Sequence, residues 1–350
     1  MAISSVHHVG IKGVSVAVPR NTHDNLQCEL LSEKERELFV KTVGIRYRKV
    51  AEAGTTASDL CYTAAVQLMQ AMQWKPEEIS LLVFVTQTPD YIIPNTASLL
   101  QQRLGLSKNC VAFDVNLGCS GYVYGLNIAA SMLQNMPDGK ALLLVGDLST
   151  ATISPFDKST VPLFSDAGSA TALEYSLNAA MHFNLQTDGS EYDDIMIEHG
   201  GYRHFFDKDS AAMQEIDKGI VRSKLHMKLD GLKIFNFALR EVTPNVQALL
   251  THCNMSTNQL DYLVFHQANR LMLESVRKKI GVNSERVPYS LFDYGNTGSA
   301  TIPVTLVANL QQQLSSQELQ LALCGFGVGL SWGSCIIKTE PMVCLPIIEV

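Results

Sequence analysis

The chain has 350 residues, 46% of them apolar and 17% charged, which is enough to bury a large core and to build two ordinary domains or one large duplicated one. A formal net charge of −7 argues against non-specific nucleic-acid binding, and neither a phosphate-binding P-loop nor a GxGxxG following a strand is present. No apolar run approaches the roughly 18 residues of a membrane span, and the opening Met-Ala-Ile-Ser-Ser-Val-His-His has neither a basic nor an apolar leader region, so a cytoplasmic protein without a membrane partner is expected.

The first strand is predicted over Val9 to Val18, ended by Pro19, with a polar helix from Lys34 to Val43. Thr56 or Ser58 caps a helix running to about Met72, whose buried side carries Leu60, Ala64, Ala65, Leu68 and Met72. Lys75-Pro76-Glu77-Glu78 breaks it, and Leu81 to Val85 is the short continuous apolar run of a strand buried on both faces. Another strand, Val111 to Val115, leads through a glycine-bounded turn into a helix carrying Leu126, Ile128, Ala129, Ala130, Met132 and Leu133. Strands alternating with helices indicate an α/β sheet.

The eight cysteines (28, 61, 110, 119, 253, 324, 335, 344) show no CxxC or zinc-type spacing, and the nine histidines give no HExxH, so reduced thiols and no metal site are expected. His7 and His8 read as surface residues.

An internal repeat runs through this pattern. Ile79 to Val85 matches Leu260 to His266 without a gap at an offset of 181, and at that offset Leu68 meets Leu249 and Trp74 meets Met255. Phe113-Asp114 then meets Phe292-Asp293, and Leu143 to Gly146 meets Ala322 to Gly325, both at 179. Four segments in one order at nearly constant offset indicate a tandem duplication, whose equivalent strand ends converge about a pseudo-twofold axis. The repeat predicts that Cys119, His266 and Asn296 meet. Residues about 190–227 have no counterpart and read as an insertion, either a cover over a substrate entrance or a surface excursion.

Four stretches carry chemistry. In Asn116-Leu117-Gly118-Cys119-Ser120-Gly121 a cysteine stands at a helix start, where unpaired N–H groups and partial positive charge favour thiolate, and its own amide can serve an oxyanion. His266-Gln267-Ala268-Asn269 places a histidine at the carboxyl end of a buried strand, before a helix from about Arg270 to Ile280. Asn296, between Gly295 and Gly298, presents an amide before a helix; with Cys and His nearby it reads as a second donor. Gly325-Phe326-Gly327-Val328-Gly329 brings backbone N–H groups close to a ligand and could complete an oxyanion hole with the Cys119 amide.

These stretches, in this order, resemble β-ketoacyl-acyl carrier protein synthase III, a condensing enzyme of the thiolase fold. The likeness extends to Gly44-Ile45-Arg46, Thr86-Gln87-Thr88-Pro89-Asp90, Phe164 to Ala170 and Ser331-Trp332-Gly333-Ser334. Elongating ketosynthases use two histidines, so Asn296 places the chain with the synthase III, thiolase and plant-type polyketide synthase branches, and His266-Gln267-Ala268-Asn269 selects synthase III. The resemblance implies duplicated α/β halves in an α-β-α-β-α arrangement, here residues 1–175 with the nucleophilic cysteine and 176–350 with His and Asn. It implies a ping-pong decarboxylative Claisen condensation between a Cys119-bound acyl group and malonyl-acyl carrier protein, in fatty acid or specialised acyl biosynthesis. His266 and Asn296 would hold the malonyl thioester carbonyl, and the Cys119 and Val328 amides the acyl oxyanion. No metal, flavin or nucleotide cofactor is required.

The resemblance further implies a homodimer in which Ile93 closes the partner's acyl tunnel, and a substrate passage involving Gly327, Gly329, Gln267 and Asn269. Acidic carrier proteins need a local basic patch, for which Arg270, Arg277, Lys278 and Lys279, with Lys224, Lys228 and Lys233, are the candidates. Where the best-known members place groups that bind coenzyme A or its pantetheine, this chain has Leu38, Thr42, Lys158 and Leu232, so the donor can be acyl-CoA or an acyl carrier protein. Two other functions stay open: acyl transfer to an alcohol or amine without decarboxylation, and a non-catalytic partner subunit.

Overall fold

The computed structural model describes residues 2–136 and 138–350. The chain begins with β1 (Ala2–Val18), β2 (Thr22–Asp24), α1 (Glu33–Val43), β3 (Tyr47–Lys49), α2 (Ala57–Ala71), β4 (Ile79–Val85), α3 (Thr96–Arg103), β5 (Val111–Val115), α4 (Gly121–Leu133), β6 (Lys140–Leu148) and β7 (Asp166–Thr187). It continues with β8 (Ile195–Ile197), β9 (Gln214–Asp217), β10 (Ile220–Arg222), β11 (Met227–Leu229), α5 (Gly231–Phe237), α6 (Thr243–His252), β12 (Tyr262–Phe265), α7 (Arg270–Ile280), α8 (Leu291–Tyr294), α9 (Thr301–Ser316), β13 (Leu319–Gly327) and β14 (Ser331–Thr339). None of the helices described is long and apolar enough to cross a membrane.

Local chemistry sets the boundaries. Ser32 with Glu35, and Thr56 with Asp59, form reciprocal capping boxes that start α1 and α2. The Asp114 carboxylate, on β5, accepts the first amides of α3 from Thr96 and Ala97, so a strand of the sheet fixes the helix beside it. The first strand begins earlier than its apolar run, at Ala2, and carries His7 and His8 exposed along it.

The repeat in the sequence appears as a repeated pairing scheme. β1 pairs antiparallel along β7 from Gly168 to Leu185, while Asp166–Glu174 of β7 pair antiparallel with β6; β6 runs parallel to β4 and β4 parallel to β5. Further along β7, Met181–Thr187 pair antiparallel with β14, β14 antiparallel with β13, and β13 parallel with β12. Thus β4 and β12, matched at the 181-residue offset, each lie parallel to an inner strand. One match differs: Phe292-Asp293 lies in the short helix α8, whereas Phe113-Asp114 lies in β5.

Alternating side chains divide the interior into three layers. Leu81, Val83 and Val85 of β4 and Leu321 and Leu323 of β13 face a central core shared with α4 and α9. On the opposite faces, Leu82 and Phe84 pack on α2 and α3, and Ala322, Cys324 and Phe326 pack on α5, α6 and α7. The two wings of this one continuous sheet, joined through the long strands β7 and β1, with helices between and outside them, form an α-β-α-β-α sandwich. The carboxyl ends of β4, β5 and β6, and of β12 and β13, open into one cavity.

Candidate active site

Cys119 follows β5 and precedes α4 by two residues, with Ser120 as the residue before the first helical position, Gly121. The turn is held from the other half of the chain: the Ser120 and Ser331 hydroxyls lie 2.6 Å apart, and Ser331 donates to the Val328 carbonyl at 2.9 Å. This clamps the glycine-rich hairpin over the cysteine. Gly327, at φ +154°, needs its lack of a side chain, since a Cβ there would lie 2.7 Å from the Cys119 sulfur. Gly118 is equally constrained, because a Cβ would run into the Gln87 amide oxygen and lie 2.6 Å from the Val328 side chain.

Both backbone amides expected at the oxyanion hole, those of Cys119 and Val328, face the sulfur. The expected thiolate is not what the site favours. Cys119 keeps some exposed surface, yet burial pushes its thiol up to about 11, with Asp147 adding to the rise, and the two amides offset this only in part. The resting nucleophile is a thiol.

His266 ends β12, its amide donating to the Cys324 carbonyl at 2.7 Å. Its ring is buried, stacked edge-on against Phe326 at 5.8 Å, with Nδ1 2.7 Å from the Thr301 hydroxyl. Burial lowers its pKa to about 3, so the imidazole is neutral at working pH.

Asn296 is pinned as if in a sheet: its N–H donates to the Leu163 carbonyl at 3.0 Å, and its carbonyl accepts from Ser165 N–H at 2.8 Å. Its side-chain Oδ1 accepts from Gly298 N–H at 3.1 Å, which commits the oxygen and leaves the NH₂ group for the cavity. The turn is tied in turn to Asp147, whose carboxyl accepts from Gln87 N–H at 2.7 Å and Ser299 N–H at 2.9 Å.

Cys119, His266 and Asn296 line one cavity of about 420 Å³, together with Gln87, Asp147, Phe326, Gly327 and Val328. Its wall includes Ile195, Met196 and Ile197 of β8 and Met227 and Leu229 of the paired strand β11, so both ends of the inserted segment border the cavity. Among the described residues the lining includes no lysine or arginine.

The other expected site residues divide. Asn269 lines the cavity while its Oδ1 caps α7 at Met272. Gln267 does not: it is buried, donating to the Phe265 carbonyl and accepting from Ser290 N–H, because its side chain turns away from the strand end. Gly329 is also off the cavity, its missing side chain making room for Ser331. Ile93 stands 79% exposed outside this cavity. Arg277 is consumed internally by Glu274 and the Val282 carbonyl, Lys228 by Glu198, Lys233 by Asp194, and Lys279 reaches the Leu239 carbonyl. Arg270, Lys278 and Lys224 are exposed.

Sequence reasoning missed Asp147, Phe326 and Thr301. The first two had a signal: at the 179-residue offset, Gly146-Asp147 falls on Gly325-Phe326, so both follow a buried strand at equivalent positions.

Comparison with known proteins agrees with this geometry. The model of 3-oxoacyl-[acyl-carrier-protein] synthase III matches residues 113–189, and that of the C-terminal part of the same synthase matches 250–339. A putative 3-oxoacyl-[acyl-carrier-protein] synthase 3 of Campylobacter jejuni is 31% identical over 95% of this chain and 94% of its own length. The chain belongs to the β-ketoacyl-[acyl-carrier-protein] synthase III family. The family member of Streptococcus mutans is likewise 31% identical, over 92% of this chain and 96% of its own. The crystal structure of a 3-oxoacyl-(acyl-carrier protein) synthase from Burkholderia xenovorans LB400 superposes with a TM-score of 0.92 at 36% identity, covering 99% of both chains. The architecture is therefore the thiolase fold of these synthases, and the chain is an acyl-transferring condensing enzyme.

Proposed function

We propose that this chain joins an acyl group, held as a thioester on Cys119, to a malonyl group on acyl carrier protein, releasing carbon dioxide and a β-ketoacyl thioester. The observation that carries this reading is the sharing of one cavity by a cysteine under two backbone amides, a neutral histidine and an asparagine with its NH₂ group free.

In the first half-reaction the Cys119 sulfur attacks the donor thioester carbonyl. The thiol proton leaves with the departing thiolate, and the amides of Cys119 and Val328 receive the oxyanion. In the second, the malonyl carboxylate enters a lining that includes no lysine or arginine among the described residues. Without an ion-pair partner there, the carboxylate is favoured to leave as neutral carbon dioxide. His266 and Asn296 donate to the thioester carbonyl and stabilise the enolate, each worth roughly 3 kcal/mol of barrier. The carbanion attacks the acyl carbonyl and expels the Cys119 thiolate, which recovers a proton from solvent.

The reading includes a homodimer, with Ile93 of each copy at the other's tunnel, docking of the acidic carrier protein at Arg270, Lys278 and Lys224, and no bound cofactor. The donor acyl group arrives on coenzyme A or on a carrier protein. Product mass spectrometry with malonyl-carrier protein and a panel of acyl donors tests it. A product longer by two carbons and bearing a 3-keto group is expected, whereas unchanged acyl groups on an alcohol or amine acceptor would replace the reading with simple acyl transfer.

A further inference from the structure

The neutral His266 imidazole carries one N–H, and the condensation proposed above needs it on the nitrogen that faces substrate. Which nitrogen holds it depends on what Nδ1 meets. Two groups compete there. The Thr301 hydroxyl, 2.7 Å from Nδ1, can donate or accept; the Gly298 carbonyl, 3.3 Å from that hydroxyl and beside the ring, can only accept.

With the hydroxyl hydrogen turned to Nδ1, the ring proton sits on Nε2. With the hydroxyl hydrogen turned to Gly298, Nδ1 must carry the proton and Nε2 is left as a bare acceptor. The shorter contact is the one to the ring, by 2.7 against 3.3 Å. Thr301 is buried at the first position of α9 and the ring is buried on Phe326, so neither partner is free to turn away or to bond water instead. The ring's side-chain hydrogen bond is made at Nδ1, and His266 lines the cavity, so Nε2 is the nitrogen on offer to substrate.

We propose that Thr301 is a positioning residue that sets the tautomer of His266, donating its hydroxyl hydrogen to Nδ1 so that Nε2–H is presented to the malonyl thioester carbonyl. The proposal rests on the condensing reaction for its catalytic consequence, but not for the tautomer itself. Replacing the hydroxyl by a methyl group leaves the Gly298 carbonyl as the remaining partner. The Nδ1–H form then takes over, and a donor toward substrate becomes an acceptor.

Thr301→Val, which conserves shape, and Thr301→Ser, which conserves the hydroxyl, separate this from packing. For Thr301→Val, condensation kcat is expected to fall about 10²- to 10³-fold, with KM for malonyl-carrier protein and the rate of Cys119 acylation each within a few-fold of wild type. Thr301→Ser should recover most of the rate. Equal loss of acylation and condensation in Thr301→Val, or no recovery in Thr301→Ser, would overturn the proposal. A readout independent of turnover is the ¹⁵N spectrum of histidine-labelled enzyme, with the His266 signals assigned by their loss in His266→Ala. The Nε2–H form is expected in wild type and the Nδ1–H form in Thr301→Val; the Nδ1–H form in wild type sinks the idea even if the enzyme condenses, while the expected tautomers in an enzyme that never condenses would count only against the reaction.

Discussion

The protonation state of Cys119 decides how the first half-reaction starts. With its thiol pushed up to about 11 by burial, about one molecule in 10⁴ carries the thiolate at pH 7, against about 3% for an ordinary cysteine thiol. The loss is about 300-fold. No imidazolium is present to reverse it, since His266 stays neutral above about pH 4 with a pKa near 3. The sign follows directly: raising the pH increases thiolate, and the increase continues until the pH reaches the raised pKa. Iodoacetamide alkylation of Cys119, followed by peptide mass mapping against a Cys119→Ala control, should therefore rise nearly tenfold per pH unit from 7 to 10. It should level off only near 11, with the same profile in His266→Ala. A plateau centred near pH 6 or 7 that disappears in His266→Ala would show a thiolate–imidazolium pair, and would refute the neutral-pair reasoning.

Three further outcomes follow from the geometry. Gly327→Ala places a methyl group 2.6 Å from Cys119 Cβ and should slow Cys119 acylation at least about tenfold, measured by intact mass; wild-type acylation would show that the hairpin yields. Asn296→Ala should cost about 10²- to 10³-fold in condensation while acylation stays within a few-fold, and equal losses in both would contradict a donor role confined to the malonyl step. Arg277→Ala should lower stability by about 1 kcal/mol with KM for carrier protein unchanged, whereas Arg270→Glu should raise that KM roughly 3- to 10-fold; thermal melts and steady-state kinetics distinguish them.

Much of the architecture was legible because it depends on local pattern. Thr56 with Asp59, the apolar run Leu81 to Val85, and Asn269 before Arg270–Ile280 each state their own boundary, and the 181-residue offset relates β4 to β12 across the chain. The cysteine, histidine and asparagine were legible for a similar reason: each sits in a turn after an apolar run or before a helix. What was not legible depends on long-range packing. Cys119 looked like a helix-start thiolate, but burial in the folded site dominates its proton affinity, and the amides of Cys119 and Val328 offset it only in part. Gln267 and Arg277 look from sequence like substrate and docking groups, yet their polar atoms are taken by Ser290 N–H and the Phe265 carbonyl, and by Glu274 and the Val282 carbonyl. Phe292-Asp293 copies Phe113-Asp114 in letters and not in structure, since two residues cannot carry a strand that its neighbours do not pair.

The most direct test of the central claim is time-resolved intact-protein mass spectrometry. Wild-type enzyme incubated with an acyl-CoA and acyl-carrier-protein panel should gain the mass of one acyl group, absent in Cys119→Ala, and should lose it when malonyl-carrier protein is added, as the β-ketoacyl product appears. Folded wild-type enzyme that takes up no acyl group from any donor, or an adduct that malonyl-carrier protein does not discharge, would contradict the account.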